Sequence, residues 1–253
     1  MTKENIIHLA NNLYEETFWA NSYWNLLQQI QDQLGNYYEE INVSPCFYNL
    51  IHNALLKSML MEIAKLYDAK GLSLQNLLDA INPERADQDV IRVLNEIPIR
   101  HQVTEYDCVH FKQEVERHWA ICDSLNKEHS YPVVELGYQS YFNYLTKQFR
   151  TINKSIVNLR EQRNKLLAHN GVEYNFDYKT INKKFPLVKS DVDKLMEYAF
   201  ELTTLIIEKF TGVSKPHTSI DIDDWERTLE LVREGQRVIN EEYIQCENDM
   251  NFK

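Results

Sequence analysis

The chain has 253 residues, 43% of them hydrophobic, with a formal net charge of minus 11, only 6 glycines and 6 prolines, and 4 cysteines that form no C-x-x-C pair. This much apolar material supports a real core, the scarcity of Gly and Pro excludes a turn-rich β protein, and the acidic balance excludes generic long-range attraction to nucleic acid. The cysteines read as reduced thiols, the start MTKENIIHLANNLYEE lacks the layout of a signal peptide, and the most apolar stretch, Phe47 to Ala64, is interrupted by His52, Lys57 and Glu62. Together these predict a soluble, cytoplasmic, all-α chain without membrane association.

The pattern predicts about eight helices in one domain over 1–253, with a core at about 45–212 and a linker plus an acidic helix over 213–253. The first helix spans Ile6 to Leu34, closed by Gly35. A second starts after Ser44-Pro45, where Ser44 caps and Pro45 suits the first turn. It runs to Gly71 and, being apolar on most sides, is expected to be central. Ser73 opens a short helix, SLQNLLDAI, and Pro83 opens another that ends at Pro98. Val103 to Lys127 reads as a longer polar helix. On it His110, Glu114 and His118 fall at i, i+4 and i+8, a metal-compatible spacing whose default reading is a polar helix face. No metal or cofactor is expected.

From Tyr138 apolar residues recur at Phe142, Leu145, Phe149, Ile152, Ile156 and Leu159, one face of what reads as the longest helix, 138–168. Continuing the rhythm places Arg163 on that apolar stripe, where an unpartnered guanidinium is costly. His169 follows six residues later, just before the helix-stop pair Asn170-Gly171. Six steps in a continuous helix turn about 240°, so the two side chains meet only if the helix ends near Ala168 or a second copy supplies the other half. Between Leu145 and Ser190 there are ten Lys or Arg and three acids, plus 7, which leaves minus 18 elsewhere. A long loop, 171–189, is followed by a helix over Ser190 to Phe210 capped by Ser190 and Asp193, and by a last helix over Asp223 to Gln245.

The spacing from Arg163 to His169, within LREQRNKLLAHNG, resembles the R-x(4 to 6)-H motif of the HEPN superfamily (higher eukaryotes and prokaryotes nucleotide-binding). The run NALLKSMLMEIAKLYDAKGLSLQNLLDAI is similar to the N-terminal half of its abortive-infection U branch, with a Leu-x-Asp-like signature followed by a Ser-Leu-rich helix. The resemblance covers roughly Phe47 to His169 and, more loosely, Ser190 to Phe210. It implies a HEPN-type helical bundle with added N- and C-terminal helices. It also implies a metal-independent endoribonuclease of an abortive-infection or toxin system, in which an antitoxin protein can be a partner. In HEPN toxins paired with a nucleotidyltransferase antitoxin, a Tyr two residues after the motif His is modified. Gly171 stands at that position here, so that form of control is not expected.

The residue types fit this chemistry. Cleavage by the 2'-hydroxyl needs a base, an acid and positive charge on the phosphorane. Histidine serves either proton role near neutral pH, and arginine offers a charged planar fork to phosphate. His169 is accordingly the expected acid/base, Arg163 the phosphate stabiliser and Asn164 the orienting group. Arg160, Lys165, Lys183, Lys184 and Tyr174 are candidates for RNA contact. One motif supplies one His, so a C2 homodimer through the 138–168 helix is expected to complete the site. The structural alternatives are an Arg163 paired with Glu161 or an acid of a neighbouring helix, and a His169 that caps a helix dipole. The functional alternative is a non-catalytic HEPN dimerisation and partner-binding module.

Overall fold

A computed structural model describes residues 1–68, 71–165, 182–217 and 224–251, the last nine of these as backbone. The chain divides into two compact units, one of residues 1–17 and 63–215, the other of 18–62 and 216–253. The division falls within two helices, α1 (Lys3–Gln33) and α3 (Pro45–Leu66). Ten helices lie wholly within the described residues. The two beyond the expected eight are a five-residue helix, α2 (Tyr38–Asn42), and the product of a break in the motif helix.

In the first unit, the buried start of α1 contributes Ile6, Leu9 and Leu13, and the end of α3 contributes Ile63, Leu66 and Tyr67. Next come α4 (Leu74–Ala80) and α5 (Gln88–Asn95). The Ser73 side chain caps α4 by accepting from the Asn76 N–H, as the sequence predicts. Asp87, rather than a residue near Pro83, caps α5 by accepting from the Asp89 N–H at 2.9 Å. A two-stranded antiparallel hairpin of β1 (Ile99–Gln102) and β2 (Val133–Leu136) pairs Ile99 with Leu136 and His101 with Val134. Alternation along β1 turns Ile99 and His101 inward and Arg100 and Gln102 outward. The helix expected over Val103 to Lys127 is shorter, α6 (Lys112–Ser124), because residues 103–111 form a turn-rich loop gathered around Asp107. His110 therefore lies off the helix that would have aligned it with Glu114 and His118.

The expected longest helix is two helices, α7 (Tyr138–Thr151) and α8 (Asn153–Arg163), broken at Ile152. The longest among the described residues is α1, at 31 residues. At the break the Thr151 hydroxyl donates to the Gln148 carbonyl at 2.8 Å, and the Ile152 N–H donates to the same carbonyl. The hydroxyl bond competes for the carbonyl that the ladder's own Ile152 N–H also uses. Next comes α9 (Lys189–Thr211), in which 12 of 23 residues are buried. It packs against α4, α5, α7 and α8 and is the central helix of this unit. Its first turn is held by Asp191, whose carboxylate accepts from the Val188 N–H, rather than by Ser190 and Asp193. Gly212 ends it in the left-handed region at φ 69°, the conformation that favours glycine.

In the second unit, α10 (Asp224–Asn251) packs on α2. Arg233 lies over the Tyr37 ring and pairs with the buried carboxylate of Glu40, holding that carboxyl below its ordinary range through the hydrogen bond. Trp225 meets Tyr37 edge-on and donates to Gln29 at 3.0 Å. Against the expectation of a central second helix, the first half of α3 is largely exposed, with Leu50 70% accessible. Leu202→Ala, in the middle of α9, is expected to cost about 2–5 kcal/mol, whereas Leu50→Ala is expected to stay within about 0.5 kcal/mol. Denaturant titration of the two variants checks the contrast. No helix among the described residues is long and apolar enough to cross a membrane.

Candidate functional site

The last carbonyls of a helix have no partner within it, and the end of α3 recruits one from α8. Tyr67 is buried there, its hydroxyl donating to the Leu195 carbonyl at 2.5 Å and its ring stacked on Phe149. These contacts fix the end of α3 against α7 and α9. Arg160 donates from an Nη to the Tyr67 carbonyl, placing a cation where the helix dipole is negative. Its Nε is buried without a partner among the described residues.

Three residues on, Arg163 Nη1 donates to Asp68 Oδ2 at 3.0 Å. Its Nε and Nη2 both donate to Asn164 Oδ1, at 3.2 and 3.1 Å. The guanidinium on the apolar stripe is thus partnered, and by Asp68 rather than Glu161. With side chains 20% and 37% exposed, this pair adds at most about 1 kcal/mol to stability. Its larger effect is positional. A guanidinium has five N–H donors, and three of them are used among the described residues.

The other side of α8 is fastened too. Gln162 is fully buried and donates to Asn182 Oδ1 and the Phe185 carbonyl, both at 2.8 Å, while Asn158 donates to the Pro186 carbonyl at 2.7 Å. Ser155 donates to Asp191 at 2.8 Å and ties α8 to the start of α9. The stretch with exposed Lys183 and with Lys184, which lies over the Phe185 ring, is therefore anchored one residue before Arg163. At Asn164 and Lys165 the backbone passes from α-helical to π-helical, so an angle computed for a continuous α-helix does not carry past Arg163. His169 and Tyr174 lie outside the described residues. No group of three His, Cys, Asp or Glu able to hold a metal occurs among the described residues.

The two stretches that carry the resemblance meet at this point: Leu66 ends α3, Tyr67 and Asp68 follow it, and Arg160 and Arg163 grip those two from α8. The model of the HEPN family AbiU2 matches residues 3–228. The chain belongs to the AbiU2 family of HEPN proteins. No curated protein and no solved structure matches it. The AbiU2 match takes in all of α1 and the first turn of α10. The residue of this AbiU2 site missed in the sequence is Asp68. Its signal was present, since it is the Asp of the Leu-x-Asp-like signature, but nothing in one sequence says that this Asp faces an Arg 95 positions away.

Proposed function

We propose that this AbiU2 chain is a metal-independent endoribonuclease of an abortive-infection, phage-defence system. Arg163 stabilises charge on the phosphorane, Asn164 and Asp68 hold its guanidinium in register, and His169 moves the proton between the 2'-hydroxyl and the leaving 5'-oxygen. The observation that supports this most is the Arg163 guanidinium, held by Asn164 and Asp68 and with two N–H groups unused among the described residues. A donor oriented before the substrate arrives needs no reorganisation as charge develops. Acid and base call for two histidines, so the active form is a C2 dimer across the 138–168 stretch, and an antitoxin protein is the natural partner to restrain it.

The test is cleavage of a tRNA pool in EDTA by the wild type and by His169→Ala, both checked for the same dimeric mass. Cleavage that survives EDTA and is lost in the variant is the expected result. A second reading, a non-catalytic dimerisation module, draws on the same ion pair, because Asp68 alone suffices to explain an arginine on an apolar stripe. A well-folded dimeric wild type that cleaves no RNA favours that module.

A further inference from the structure

Arg160 and Arg163 both reach from α8 to the chain that leaves α3. They stand three positions apart, so their side chains lie one above the other on the same side of the helix. Arg163 holds the Asp68 carboxylate, and Arg160 holds the carbonyl of the residue before it, Tyr67. A single bond fixes a separation, and two bonds one helical turn apart also fix an angle. The sequence offers Arg160 as an RNA contact, but this bond aims its guanidinium at the protein, where its Nε is buried with no hydrogen-bond partner among the described residues.

The contact acts through Tyr67, which is 2% exposed. Its ring stacks on Phe149 of α7, its hydroxyl donates to the Leu195 carbonyl of α9 at 2.5 Å, and its carbonyl accepts from Arg160 of α8. Three attachments on three helices leave this residue little freedom to turn.

Asp68 lies past the end of α3, so the helix ladder does not set it. Its N–H donates to the Lys65 carbonyl at 3.1 Å, a tighter turn than the α-helical one. That N–H and the Tyr67 carbonyl belong to one planar peptide unit, which also carries the Asp68 Cα. Arg160 bonds to one end of the unit and the Lys65 carbonyl to the other. The plane is thereby set, and with it the point from which the Asp68 carboxylate reaches Arg163.

Stability does not account for an arginine at this position. Among the described residues its guanidinium makes one hydrogen bond, and leaving the buried Nε unpaired is a cost. Methionine, with a similar stem and no donor, avoids that cost.

We propose that Arg160 is a positioning residue: through the Tyr67 to Asp68 peptide it sets the Asp68 carboxylate, and Asp68 in turn orients the Arg163 guanidinium toward a phosphate. The last step rests on the ribonuclease reading, whereas the orientation of Arg163 is a property of the folded chain and is independent of it.

Two measurements on the full chain keep these apart. The first is hydrogen exchange with water at the Arg163 Nε–H, which donates to Asn164, observed by NMR in isotope-labelled protein and assigned by its loss in Arg163→Lys. Loosening Asp68 lets the guanidinium swing, so Arg160→Met is expected to speed this exchange several-fold. Asp68→Asn should do the same, and the double variant no more than either alone. Arg160→Lys, which keeps a donor for the carbonyl, and Arg150→Met, on the exposed face of α7, should match the wild type. The second measurement is single-turnover cleavage against RNA concentration. Arg160→Met is expected to lower the saturating rate about tenfold, leaving the half-saturating concentration, its salt dependence and, within a few degrees, the melting temperature unchanged. A residue that bound RNA phosphate would instead raise the half-saturating concentration and reduce the salt slope by about one. If Arg160→Met does not fold, Arg160→Gln, whose donor is too short to reach the carbonyl, is read in its place. Wild-type exchange in Arg160→Met, losses that add in the double variant, a reduced salt slope, or a rate that merely follows the melting temperature overturns the assignment. A wild type that cleaves no RNA removes the ribonuclease reading, and the exchange measurement still decides whether Arg160 orients Arg163.

Discussion

Arg163→Lys is expected to lower RNA cleavage by about a hundredfold or more while leaving the melting temperature within a few degrees of the wild type. Lysine keeps the charge and can still reach Asp68, so the ion pair between the end of α3 and α8 survives. What it cannot do is receive Asn164 Oδ1 on two N–H groups and still offer two more to a phosphate, because an ammonium has three donors and no fixed plane. Asp68→Asn should act in the same direction but less, about tenfold, since Asn164 still holds one edge of the guanidinium. The double variant should be little worse than Arg163→Lys alone, as expected of residues that act as one unit. Single-turnover cleavage rates, measured beside thermal melts, separate this from a structural role. A purely structural ion pair predicts rates that follow stability, and an Arg163→Lys protein as fast as the wild type sinks the assignment.

How much of this was legible before the structure depended on whether the signal was local. Ser73 announces a helix start through a bond to a residue three positions on and Pro45 through its fixed φ, and α4 and α3 begin as the sequence says. Arg163 was legible as a rule broken on an apolar stripe. The break at Ile152 was not, since the stripe runs straight through it and only the Thr151 hydroxyl marks the place. Four-residue strands separated by 30 residues carry too little periodicity to compete with a helix reading, and so β1 and β2 were missed. α3 misled for another reason: composition says how apolar a helix is, not which half is covered.

The acidic cluster around His101 was illegible for the same physical reason as Asp68. The imidazole lies between two carboxylates, its Nε2 2.5 Å from Asp107 Oδ2 and its Nδ1 2.9 Å from Glu201 Oε1, with Glu197 close by. His101 sits on a strand too short to detect, Asp107 in a stretch read as helix, and Glu201 on the buried helix α9 among apolar neighbours. Each is unremarkable alone, and only the fold assembles them.

That assembly makes stability depend on pH in an uncommon direction. Burial pushes His101 toward its neutral form, but the hydrogen bonds and charges of Asp107 and Glu201 outweigh burial and raise it from 6.5 to about 9. A group raised in the folded state contributes stability that is fully present below its unfolded value and lost as pH rises through its folded one. For His101 that window runs from 6.5 to about 9 and is worth roughly 3 kcal/mol. Glu197, raised from 4.5 to about 7 by burial first and then by the charges of Glu201 and Asp107, erodes stability in the same sense at lower pH. Asp107, held below 3.8 despite its burial by the bonds it accepts from His101, Thr104 and Tyr144, loses its contribution only in acid. Denaturant titrations are therefore expected to show stability falling steadily between about pH 5 and 9, where many proteins are near their plateau. Glu197→Gln should flatten the lower part of the fall and leave the part above pH 6.5. His101→Ala, which strands two buried carboxylates, should cost about 3–5 kcal/mol at pH 6 and much less at pH 9.5, where the wild type has already lost its imidazolium. A wild type equally stable at pH 6.5 and 9 would mean that His101 is neutral in the folded chain.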